Sequence, residues 1–191
     1  MSTQDLFDKA QECYRRAQSL IGDMIEFAKK EQPNFDTKSA YAQFDIIVQF
    51  ILLKVALADG KFLEIEGEFI DQITDSYDIL FLFDSHDEDY DWSFAGAFMT
   101  FEQVEKLVGK VEKLANEHIM EFSEMFSEID LKDRSKVYVK ELYDCIKDVA
   151  SYFIMADGNA TSKEIETAVK VVRECLTEPW LSKQKKLKSI H

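Results

Sequence analysis

Four carboxylates stand at matching places in the two halves of this chain, and their type and spacing are what could do chemistry. Asp59 lies in Ala58-Asp59-Gly60 and is followed by Glu66, while Asp157 lies in Ala156-Asp157-Gly158 and is followed by Glu164. The halves are offset by 98 positions, and the same offset carries Glu68 onto Glu166. Each Asp closes a long apolar run and each Glu opens the next helix, so the two oxygens face each other across one tight corner. Converging carboxylate oxygens are the ligands that a hard cation such as Ca²⁺, Mg²⁺ or Mn²⁺ takes. Glu66 and Glu68 are two apart on a helix and point to different sides, so at most one of them shares a site with Asp59.

The same residues also have a purely structural use. Gly60 and Gly158 can take the left-handed conformation that ends a helix at low cost. Thr161 with Glu164 has the spacing of a capping box, and acids in a first turn are favoured by the helix dipole. Both uses, cation ligand and helix cap, remain open on the sequence.

The elements that position these corners repeat as well. From Asp5 to about Lys30 the residues Leu6, Ala10, Cys13, Ala17, Leu20, Met24 and Phe27 draw one narrow helical seam, and Val104, Val108, Val111, Ala115, His118, Phe122 and Met125 draw it again at the same offset. Thr100 and Gln103 predict a capping box at the start of that second copy. Residues 37–58 and 135–156 form the second helix of each half, apolar nearly all round towards the end, as in Ile46 to Leu57 and Val149 to Met155. Such helices must be enclosed by others. The third helices begin near Glu64, running towards Tyr77, and at Thr161. They turn Ile65, Phe69, Ile70 and Ile73, and Ile165, Ala168, Val169, Val172 and Leu176, inward, with Pro179 predicted to stop the last one. The expected fold is all-α: residues 1–191 as a single unit, with repeat halves of about 1–78 and 100–178 packed as one pseudo-twofold bundle and a linker over 79–99.

Composition narrows the partners. A net charge of −14 and a pI near 4.6 oppose a nucleic-acid backbone or an anionic membrane surface. Three cysteines, all in helical apolar patterns, read as buried thiols in a reducing compartment. The N-terminus lacks a signal-peptide pattern, and the apolar run from Phe44 to Ala58 is too short to span a bilayer, so a cytoplasmic location is expected. His118, on a seam without a second His or a Cys spaced to help it, reads as a boundary histidine rather than a ligand. Asp87, Asp89 and Asp91 alternate as in a calcium loop, but Trp92 and Phe98 stand where an EF-hand needs Gly and Glu. No nucleophile with its base, phosphate loop or HExxH spacing is present, which points to a non-enzymatic protein.

An apolar helix ending in Ala-Asp-Gly, with a Glu about seven positions on, resembles the TerB-like domain of tellurite-resistance proteins, seen also in DnaJ-type membrane co-chaperones. Ala156-Asp157-Gly158-Asn159 with Glu164 carries the pattern more closely than Ala58-Asp59-Gly60-Lys61, where Phe62 and Leu63 replace the small polar turn. The resemblance implies an all-helical fold, an acidic face, divalent-cation binding through Asp59, Glu66, Asp157 and Glu164, and a role in a bacterial stress or envelope-associated system. The alternative is a helical interaction scaffold in which the acids only cap helices. The linker aromatics Trp92 and Phe94, with Ile79 to Phe83, would then bind a protein partner.

Overall fold

The computed structural model describes residues 2–31, 37–74, 100–132 and 137–188. They form helices α1 (Thr3–Glu31), α2 (Thr37–Ala56), α3 (Glu64–Ile73), α4 (Phe101–Lys132), α5 (Tyr138–Ala156), α6 (Ser162–Val172) and α7 (Glu178–Lys188). A 3-10 turn, Leu57–Asp59, follows α2, and a π-helical turn, Arg173–Thr177, joins α6 to α7. Among the described residues there is no strand, so the all-α expectation holds. The segment 79–99, with its acidic loop and aromatics, and the continuation of α3 towards Tyr77 lie outside the described residues.

Helix α2 shows why the others are needed. From Phe44 to Ala56 every residue is buried except Lys54. Fully burying a side chain such as Ile or Leu is favourable by roughly 1.5–3 kcal/mol, so a helix of this composition is stable only when enclosed on all sides. Counted from Ala40 to Asp59, the stretch is long and apolar enough by length and composition to cross a membrane, longer than the run read from Phe44. In this fold 72% of its apolar window is buried inside the protein.

The enclosure is reciprocal between the halves: α1 packs chiefly along α5, and α4 along α2. Both pairs are antiparallel. Lys9 Nζ at the start of α1 lies 6.0 Å from the ring centroid of Tyr152 near the end of α5. Lys54 Nζ near the end of α2 reaches Glu112 of α4 at 3.2 Å, while Gln43 at its start donates to Glu121 at 2.8 Å. Of two aromatic bridges, the first ties α3 to the α1–α5 pair and the second ties the two pairs together. Phe69 of α3 stands between Phe7 of α1 and Phe153 of α5, at centroid distances of 4.8 and 5.3 Å. Phe44 of α2 stacks on Tyr14 of α1 at 5.7 Å and lies 6.5 Å from Phe122 of α4.

The buried stripes of α1 and α4 are wider than the narrow seams read from the sequence. Ile21 and Ile25, and Ile119 and Phe126, are buried beside them, because each helix touches more than one neighbour. Two further expectations are corrected. Pro179 does not stop the last helix, which continues through it to Lys188. The preceding π turn bonds the Glu178 N–H to the Arg173 carbonyl, five residues back, and this wider spacing relieves the clash a proline ring makes four residues back in a regular helix. Nor are Ile165 and Val169 inward: they are 50% and 49% exposed, while Ala168, Val172 and Leu176 of the same stretch are buried.

Removing the ring at the junction of three helices tests this packing. Phe69→Ala should lower the unfolding free energy by about 3–5 kcal/mol. In urea titrations this appears as a lower midpoint at unchanged slope.

Candidate functional site

The two corners are built alike, bond for bond. At the first, Gly60 sits at φ 86° and donates its N–H to the Leu57 carbonyl at 3.2 Å; at the second, Gly158 sits at φ 77° and donates to the Met155 carbonyl at 3.2 Å. An added Cβ would meet nothing within 4 Å at either place, so glycine is required there by backbone conformation alone. Asp59 Oδ1 accepts from the Lys61 N–H at 2.9 Å, and Asp157 Oδ1 accepts from the Asn159 N–H at 2.8 Å. These are side-chain-closed turns of the kind Asp favours. Glu66 Oε2 then accepts from the Leu63 N–H at 2.6 Å, and Glu164 Oε2 from the Thr161 N–H at 2.6 Å.

One bond differs. Thr161 Oγ1 accepts from the Glu164 N–H at 3.2 Å and completes a reciprocal box, whereas Leu63 has no side-chain oxygen and the Glu66 N–H turns to the Leu63 carbonyl at 3.0 Å. Thr100 and Gln103 also form the box read from the sequence, with bonds of 2.8 and 3.3 Å.

The corners also meet. The turn Leu57–Asp59 packs against α6, and Glu66 and Glu164 are only 5% and 3% exposed while both aspartates are half-buried. Burial, reinforced by the charges of Glu164, Asp157 and Asp59, pushes the Glu66 carboxyl from 4.5 up to about 7, against the pull of the Leu63 N–H bond. All four carboxylates singled out in the sequence therefore share one electrostatic neighbourhood. Among the described residues none of them forms an ion pair. No group of three or more His, Cys, Asp or Glu side chains is arranged there as a ready metal cage.

No family model matches the chain, and no curated protein or solved structure shows significant similarity to it.

Elsewhere the structure settles smaller points. His118 Nδ1 lies 3.2 Å from Glu121 Oε2, which also accepts from Gln43, so it is a partnered boundary histidine. Cys13, Cys145 and Cys175 are free thiols. Burial pushes all three up, Cys175 to about 12, which leaves them poor nucleophiles. The sequence reading missed a polar cleft of about 470 Å³ bounded by Gln11, Tyr14, Arg15, Asp45, Asp71 and Gln72. In its wall the Tyr14 hydroxyl donates to the buried Asp45 carboxylate. The signal is Asp45 itself, an acid inside a run interrupted elsewhere only by Gln49 and Lys54.

Because the folded protein holds the Glu66 proton more tightly than the unfolded chain does, its stabilising contribution is full below pH 4.5 and is lost as pH rises through about 7. Glu66→Gln keeps the bond to Leu63 without the charge. Chemical denaturation should find it more stable than wild type at pH 8, by up to roughly 3 kcal/mol, and unchanged at pH 4. Leu63→Thr supplies the missing cap oxygen and should add about 1 kcal/mol at either pH.

Proposed function

We propose that this is a non-enzymatic, TerB-like helical protein whose two acidic corners together hold a divalent cation, Ca²⁺, Mg²⁺ or Mn²⁺, with weak affinity. The observation that carries the reading is the gathering of Asp59, Glu66, Asp157 and Glu164 at the contact of the two corners, two of them buried and none paired to a cationic side chain among the described residues.

The donor set suits such an ion. Each carboxylate commits one oxygen to a backbone N–H and leaves the other without a hydrogen bond among the described residues. The remaining donors are hard oxygens carrying up to four negative charges, the chemistry that Mg²⁺, Mn²⁺ and Ca²⁺ prefer. Since no three of these side chains form a ready cage, the ion would keep part of its water shell and be held in part through it. Its chemical effect would be to neutralise charge that the fold concentrates at one contact, fastening the α2–α3 corner to the α5–α6 corner.

The same reading takes the architecture as two three-helix units about a pseudo-twofold axis. The reciprocal packing of α1 on α5 and α4 on α2 supports it, as do the matched bonds at the corners.

Thermal unfolding of metal-stripped protein tests the cation directly. Saturation at a hundred times Kd adds about 2.7 kcal/mol, a rise in Tm of about 5–10 °C for a chain of this length. That rise should appear with at least one of the three ions at millimolar concentration. It should be absent with sodium chloride of matched ionic strength and lost in Asp59→Asn/Asp157→Asn. The absence of a shift with every ion would reduce the corners to helix caps.

A further inference from the structure

The outer face of α6 breaks the duplication. Ile165 and Val169 occupy the places that Gly67 and Asp71 occupy in α3. In the first half that face is covered: Gly67 is buried, and Asp71 lines the cleft with Gln11, Tyr14 and Arg15 of α1. In the second half it is open among the described residues, with Ile165 and Val169 about half exposed along a shallow groove that continues past Lys170 and Arg173 to Glu174 and Glu178. The polarity is inverted relative to cover. The covered face carries glycine and aspartate, and the open one carries two β-branched apolar side chains at i and i+4, the spacing with which one helix meets another.

The charges beside this strip identify the occupant. Glu166 flanks its start, and Lys170 and Arg173, with Glu174 and Glu178 beside them, flank its end. Lys170 and Arg173 are solvent-facing and pair only along their own helix, with Glu174 at 3.8 Å and with Glu178 at 3.0 Å. Surface pairs of this kind contribute little and exchange readily. Laid antiparallel on a copy of itself about a twofold axis near Val169, the strip sets Glu166 of each protomer beside Lys170 and Arg173 of the other. The arginine stem then lies over Ile165. Laid parallel, it would set like charges on like. We propose that the Ile165–Val169 face of α6 is a self-complementary docking surface for a second copy of this chain, in antiparallel register.

The contact is small, so the dimer is a weak one, with a dissociation constant above about 1 μM. Sedimentation equilibrium from micromolar to millimolar protein tests it. Wild type should show reversible monomer–dimer behaviour, and Val169→Glu should weaken association at least about tenfold. Glu166→Lys alone, and Lys170→Glu with Arg173→Glu alone, should each weaken it, whereas the three changes combined should restore it. All of these positions are exposed, and circular dichroism melts confirm the fold of each variant. A wild-type protein that stays monomeric at millimolar concentration overturns the proposal. So does a dimer indifferent to Val169→Glu, or one in which the combined charge exchange fails to restore what the separate changes remove, since the face would then serve another partner or none.

Discussion

A helix that offers water no polar side constrains everything around it. Helix α2 is buried from Phe44 to Ala56, and the one half-exposed residue of that stretch, Lys54, keeps its ammonium over the Phe50 ring at 5.4 Å while reaching Glu112. Enclosing such a helix takes surfaces from both halves: α4, α6 and α5 from the second, α1 and α3 from the first. A single three-helix unit would leave one flank of α2 in water, at roughly 25 cal/mol for each Å² of apolar surface left exposed. Burial of α2 therefore depends on both parts of the chain, since each supplies cover that the other lacks.

That exchange also decides where the acids end up. The last turn of α2 reaches the edge of the core against α6. The chain must there end one helix and start the next within a few residues, which calls for a left-handed glycine, an Asp closing its own turn and a Glu accepting the free N–H groups of the new helix. Every one of those demands is local. Their gathering is tertiary: once each half covers the other's central helix, two caps that would be solvated on separate units are pressed together and lose water. The charge cluster and the raised Glu66 follow from the same packing that buries α2.

Much of this was legible because it is periodic. The seams of α1 and α4, the apolar bodies of α2 and α5 and the capping boxes at Thr100 and Thr161 are all present as spacing, and one offset relates the four carboxylates. What was not legible depended on which helix lies over which. Ile165 and Val169 have the pattern of a core face, yet among the described residues they stay about half exposed, and no count within the sequence distinguishes the two cases. Pro179 was read as a stop because a regular helix rejects it. The π turn that accommodates it carries Cys175 and Leu176 into the core, and no spacing in the sequence marks it.

The difference between the two corners is the most informative part of the duplication. Glu164 is buried in a complete box, so its carboxylate and the Thr161 hydroxyl satisfy one another's backbone, and a cap accounts for it. Glu66 is buried as deeply at a corner where Leu63 offers its backbone carbonyl but no hydroxyl, and burial and three neighbouring acids raise the cost of its charge. A glutamine at that position would accept the same bond without that cost. Capping chemistry therefore explains why an acceptor stands there and leaves its negative charge unexplained. A charge that destabilises the fold at neutral pH, held beside three more of the same sign, is what a counter-ion would relieve.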